Sequence, residues 1–151
     1  MRKAKKRVVT RAEDMSGYLV KRAQSLINLS LEEIVSKHEL GIPHYVVLIL
    51  LAETPGLPNA ELARKAFVTP QSMNEVLQQL EASGMVERQP SHSNARILNA
   101  QLTPTGAKKL RSVNNDVLEL EERLLLGLSR DEVRALNRSL GTIIRNMTPT
   151  P

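Results

Sequence analysis

Residues 59–90 read NAELARKAFVTPQSMNEVLQQLEASGMVERQP. Two short helical patterns are separated by a tight break, and a glycine then leads into a short extended run. In the second pattern Met73, Val76, Leu77 and Leu80 make one apolar stripe at three-and-four spacing. Gln71, Glu75, Gln78 and Gln79 lie broadly opposite it, with Ser72 and Asn74 at its flanks. Thr69 is a plausible N-cap, Pro70 suits the first helical position, and Gly84 suits the end. In the first pattern Asn59 is the expected N-cap, and Leu62, Ala63 and Phe67 are expected to face inward.

Working outward, MVERQP (85–90) and ILNAQLT (97–103) read as two strands around a polar, turn-like SHSNA. Leu98, Ala100 and Leu102 alternate onto one face of the second strand. Upstream, Thr10 and Glu13 have capping-box spacing and open one long helix over about 12–38. HYVVLILLAE is apolar on nearly every side; Val and Ile suit a strand, but Pro43 at a first turn favours a buried helix. Downstream, Thr103-Pro104 starts a helix carrying Leu110, Val113, Val117, Leu120 and Leu124, and Gly127 breaks it. Ser129 and Glu132 form a capping-box pair before a last helix with a seam of Val133, Leu136, Leu140, Ile143 and Met147. The order is four helices, two strands, two helices.

Two helices joined by a short turn and followed by a hairpin is the order of a winged helix-turn-helix. One face of the second helix builds the core, and its outward amides can donate and accept at base edges. The open helix start around Thr69 can meet phosphate through backbone amides. An ordinary solvated helix has a polar outer face too, and Glu75 there argues against close phosphate contact; the ordered assembly is the stronger signal.

The 151 residues suggest a single domain. The formal charge of +5 invites a nucleic-acid partner. Yet Arg2, Lys3, Lys5, Lys6 and Arg7 carry five of the 21 basic side chains, and the others equal the 16 acidic ones in number. Residues 1–11 therefore read as a flexible basic tail, either tracing phosphate or only solubilising, on a formally neutral body. Cysteine is absent, which excludes a thiol sensor, a disulfide framework and a Cys-ligated metal. No apolar run approaches the ~20 residues that cross a bilayer, and no secretory pattern opens the chain; a cytoplasmic location without a membrane partner is expected. His38, His44 and His92 have no zinc spacing. P-loop, dinucleotide and HExxH patterns are missing, so neither an enzyme nor a bound cofactor is expected.

From LLAETPGLPNAELARKAFVTPQSMNEVLQQLEASGMVERQP through ARILNAQLTPTGAKKL, the chain resembles the multiple antibiotic resistance regulator (MarR) family of winged-helix transcription factors. ELA, VTPQSM, LEASGMVER and LTPTG in this order carry the resemblance. It implies a mainly α fold with a small β-hairpin wing: one domain over 12–148, with the winged helix-turn-helix about 42–103 and dimerisation helices about 12–38 and 104–148. It implies a homodimer on double-stranded operator DNA, most often a repressor. Residues 69–83 correspond to the recognition helix and 86–102 to the wing.

The DNA-binding candidates are Thr69, Gln71, Ser72, Asn74 and Gln78 on the recognition helix and Arg96 in the wing, with Arg64, Lys65 and Arg88 as phosphate contacts. Family wings commonly carry Asp, a variable residue, then Arg; this chain has Asn94, Ala95 and Arg96. Asn94 can hydrogen-bond but cannot form the ion pair that would orient Arg96. Many relatives sense a small aromatic or phenolic molecule, for which His38, His44 and Tyr45 are the candidates; Tyr45 filling a buried helix is the competing reading. A regulator without an effector and a dimeric adaptor that reads no DNA are the alternatives.

Overall fold

The structure is a computed structural model and describes residues 11–148. The basic run at 2–7 and Thr10 lie outside the described residues. The chain divides into two compact units, up to Asp116 and from Val117 onward.

In the first unit a short 3-10 turn, Ala12–Asp14, precedes α1, Ser16–Lys37. The helix thus starts later than the Thr10/Glu13 spacing suggested: Glu13 sits in the 3-10 turn and an extended Met15 begins α1. The apolar HYVVLILLAE run is helical, within α2, Ile42–Glu53, with Pro43 in its first turn. Then come α3, Asn59–Lys65, and α4, Pro70–Ala82. The core gathers around these helices. Val47, Leu48, Leu51, Leu62, Ala63, Met73, Leu77 and Leu80 are all buried. Each fully buried leucine contributes about 1.5–3 kcal/mol of hydrophobic stabilisation.

Phe67 does not join that core. The helix α3 ends at Lys65, and Phe67 adopts φ +56° just past the cap. Its N–H bonds Arg64 O and the Val68 N–H bonds Ala63 O, a Schellman ending that normally takes glycine. The left-handed turn swings the phenyl off the helical stripe, leaving it 91% exposed. Nor does Asn59 cap α3: its Nδ2 donates to Pro70 O at 3.0 Å, joining the starts of α3 and α4.

The sheet has three strands, not two. β1, Leu57–Pro58, β2, Val86–Pro90, and β3, Leu98–Leu102, run antiparallel in the order β1-β3-β2. Ala100 pairs with Leu57 on one side and Arg88 on the other. Ala100 is fully buried, but Leu98 at the hairpin's outer end is exposed, since the wing extends past the core.

The start of α5, Pro104–Leu124, explains the LTPTG motif. The Thr103 hydroxyl accepts from the Gly106 N–H at 3.1 Å and donates to Gly84 O at 2.6 Å. The Thr103 N–H bonds Met85 O, and a Cβ on Gly106 would fall 2.0 Å from that same oxygen. Farther along, Leu110 and Val113 enter the core.

In the second unit α5 runs out at Leu124 and Gly127, φ +87°, turns the chain. Ser129 and Glu132 form the expected capping box at the start of α6, Arg130–Met147. Strongly amphipathic as it is, α6 buries none of its residues within the chain.

Replacing Gly106 with alanine is expected to lower stability by about 2 kcal/mol or more, because the new methyl meets backbone and not a movable side chain. Urea unfolding of Gly106→Ala beside the parent checks this; equal midpoints would show that α5 can retreat without cost.

Candidate nucleic-acid interface

The helix α4 starts on Thr69, whose Oγ1 accepts from the Ser72 N–H at 3.1 Å and donates to Ser72 Oγ at 2.9 Å. This fixes both hydroxyls at the helix entrance and leaves the Ser72 proton free to point outward. Gln71 and Gln78 are exposed, and neither amide has a hydrogen-bond partner among the described residues. Asn74 lies between them at helical spacing, half-buried.

Arg88, expected as a phosphate contact, is occupied otherwise. From β2 its Nε donates to Glu81 Oε2 at 2.8 Å and one terminal nitrogen donates to Asn74 Oδ1 at 3.0 Å. Its side chain is only 15% exposed. Arg64 is exposed and pairs with Glu61 one turn earlier on α3; that pairing holds the Glu61 carboxyl below its usual value. Lys65 is exposed.

At the wing tip Asn94 Oδ1 accepts from the Arg96 N–H at 3.0 Å, and Asn94 O accepts from the Ile97 N–H at 2.9 Å. A side-chain carbonyl suffices for this Asx turn. Asn94 therefore shapes the backbone that carries Arg96 without any ion pair, and the Arg96 side chain stands in solvent.

The three effector candidates each have a partner within the first unit. His38 donates from Nε2 to Asp116 Oδ2 at 2.7 Å, and Lys109 Nζ reaches His38 O. The Tyr45 hydroxyl donates to Asn114 Oδ1 at 2.9 Å. His44 Nδ1 accepts from the Gly41 N–H at 3.0 Å, satisfying a free amide at the start of α2. The neutral ring then carries its proton on Nε2, which donates to Gln79 Oε1 at 2.6 Å. His38 and Tyr45 thus tie to α5, and His44 to α4. An apolar cavity of about 240 Å³ opens between α2, the α3–α4 turn and α4, lined by Ile42, Pro43, Val46, Ala66, Val68, Ser72, Met73 and Val76. None of the three candidates lines it.

The MarR family pattern matches residues 40–98. The HTH-type transcriptional repressor Rv2887 of Mycobacterium tuberculosis is 38% identical over 124 residues, covering 82% of this chain and 89% of that protein. The chain belongs to the MarR family. The crystal structure of Rv2887 with salicylic acid superimposes at TM-score 0.70 and 36% identity, covering 85% of this chain and 96% of that one. The transcriptional repressor CouR bound to a 23-mer DNA duplex gives TM-score 0.79 at 30% identity, covering 87% and 94%. This MarR-family chain is a winged helix-turn-helix, DNA-binding transcription regulator, not an enzyme.

The links Glu81–Arg88 and His44–Gln79 had no signature in the sequence of this MarR-family chain. The first pair lies seven positions apart across a glycine turn, and the second 35 positions apart. Among the described residues no group of three or more His, Asp or Glu is arranged to hold a metal, and no single helix is long and apolar enough to cross a membrane.

Burial raises the Tyr45 phenol above its ordinary 10.0. The fold thus favours the neutral phenol, a contribution complete below pH about 10 and lost as pH climbs through the raised value. Tyr45→Phe is expected to lose about 0.5–1.5 kcal/mol at neutral pH with the Asn114 hydrogen bond, and to show a shallower alkaline decline. Denaturant titrations at stepped alkaline pH check this; parallel declines in the two proteins would assign the alkaline loss elsewhere.

Proposed function

We propose that this MarR-family regulator is a cytoplasmic homodimeric repressor, with α4 reading the major groove and Arg96 of each wing entering the minor groove. The carrying observation is α4 itself. One face is locked into the core by Met73, Leu77 and Leu80, while Gln71 and Gln78 project unpaired amides from the other. Thr69 and Ser72 present the helix entrance to a phosphate, with Arg64 and Lys65 on α3 beside the same backbone. CouR, 30% identical, is a repressor bound to a DNA duplex, which supports the mode.

Dimer formation is supported by apolar surface that the single chain leaves open. Leu19, Leu26 and Leu29 on α1 are exposed, as are Leu118 on α5 and Ile143, Ile144 and Met147 on α6. Release by a small aromatic or phenolic acid is supported by Rv2887, whose structure holds salicylic acid. Here the cavity beside α2 offers an apolar wall for a ring, and His38, His44 and Tyr45 offer polar groups nearby in sequence, each exchangeable from its present partner. A ligand acts only through unequal affinity for the DNA-competent and released geometries; about 1.4 kcal/mol of difference changes DNA affinity tenfold.

The test begins with duplexes selected from a randomised library. Sedimentation of the complex should show two chains per duplex; one chain would remove the dimer. Gln71→Ala/Gln78→Ala should lose selected duplex far more than scrambled duplex, because base contacts discriminate and phosphate contacts position. Equal losses would give these glutamines a non-reading role.

In the same assay salicylate is expected to release the parent protein from its selected duplex at least tenfold, through about 1.4 kcal/mol of coupling. Unchanged binding across a set of phenolic acids would favour a regulator without an effector.

A further inference from the structure

The Asn74 amide faces two ways. Its Oδ1 lies 3.0 Å from an Arg88 guanidinium nitrogen. A guanidinium has donors only, so the asparagine must turn its oxygen towards Arg88 and its Nδ2 away. That assignment follows from chemistry and admits no amide flip. Arg88 is itself held by Glu81, about two helical turns beyond Asn74 on the same helix. Recognition helix and wing strand are thereby clamped together through one side chain. The Asn74 Nδ2 has no partner and is not a buried orphan among the described residues. Asn74 sits between Gln71 and Gln78 along α4, in the row that reads DNA in the function proposed above.

An asparagine that reads adenine uses both ends of its amide, accepting from N6 and donating to N7. With the oxygen turned towards Arg88, the donor is the end left for a base. We propose that Arg88 is a positioning residue that makes Asn74 a one-way donor, selecting a base with an acceptor edge — purine N7, guanine O6 or thymine O4 — and rejecting cytosine, whose major-groove polar group is a donor. Gln71 and Gln78, free at both ends, carry no such restriction. The inference rests on the DNA-reading assignment of α4.

The test compares base preferences in selections from a randomised duplex library. Asn74→Ala should flatten preference at one base pair per half-site. Glu81→Gln/Arg88→Leu, which leaves no carboxylate unpaired, should change that same base pair: adenine should gain about tenfold over guanine as the freed oxygen completes the two-point contact. Arg88→Leu alone should give the same shift, and circular dichroism verifies the fold of each variant. A uniform loss of affinity without a change in preference would make Arg88 a phosphate contact and overturn the proposal. So would a change at a base pair that Asn74→Ala leaves alone, or strong adenine preference already present in the parent. Absence of any selected sequence with the parent protein would overturn the reading of α4 as well, which separates the two failures.

Discussion

The peptide at Met85 holds the winged head together. Its N–H closes the end of α4 on Leu80 O, and its oxygen accepts from the Thr103 N–H. The first turn of α5 packs against that oxygen so closely that only glycine fits at 106. Gly84, at φ +71°, supplies the left-handed turn that brings the peptide there, and Thr103 bonds its carbonyl. One backbone unit thus sets where the recognition helix stops, where the wing begins and where the next helix leaves.

What could be read from the chain follows from how local each signal is. The stripe on α4, the Thr69 and Ser129 caps and the Gly84 and Gly127 stops depend on residues within a turn or two, and all stand as expected. Phe67 misled because apolarity at helical spacing does not reveal that the helix has already ended. Leu57–Pro58 escaped notice because two residues have no periodicity and acquire strand character only by pairing with β3. At the site, the exposure of polar groups such as Gln71 and Gln78 was legible by position, whereas the partners of Arg88 and His44 come from distant segments and exist only once the chain is folded.

The surface proposed to read DNA is neutral along its centre. Its central row is made of amides, and the nearest cations on α3 and β2 are partly engaged by Glu61 and Glu81. Neutral donors and acceptors gain little from long-range attraction, so their value lies in geometry at contact. That places weight on how each amide is oriented, and in the proposal above it gives the Glu81–Arg88 pair between α4 and the wing strand a bearing on recognition. Asn94 illustrates the same economy: it bends the backbone under Arg96 with a carbonyl alone.

The helix α6 has a consequence in mass action. It presents an apolar seam but has no buried residue of its own within the chain. In the proposed homodimer its order is contributed by a second molecule, so folding and concentration become a single variable. A dilute chain keeps a packed head and loses the shelter of its C-terminal helix. Weakly packed helices open locally most readily, and proteases cut the opened state. The lifetime of the regulator would then fall with its own abundance, and a scarce repressor would clear faster than a plentiful one.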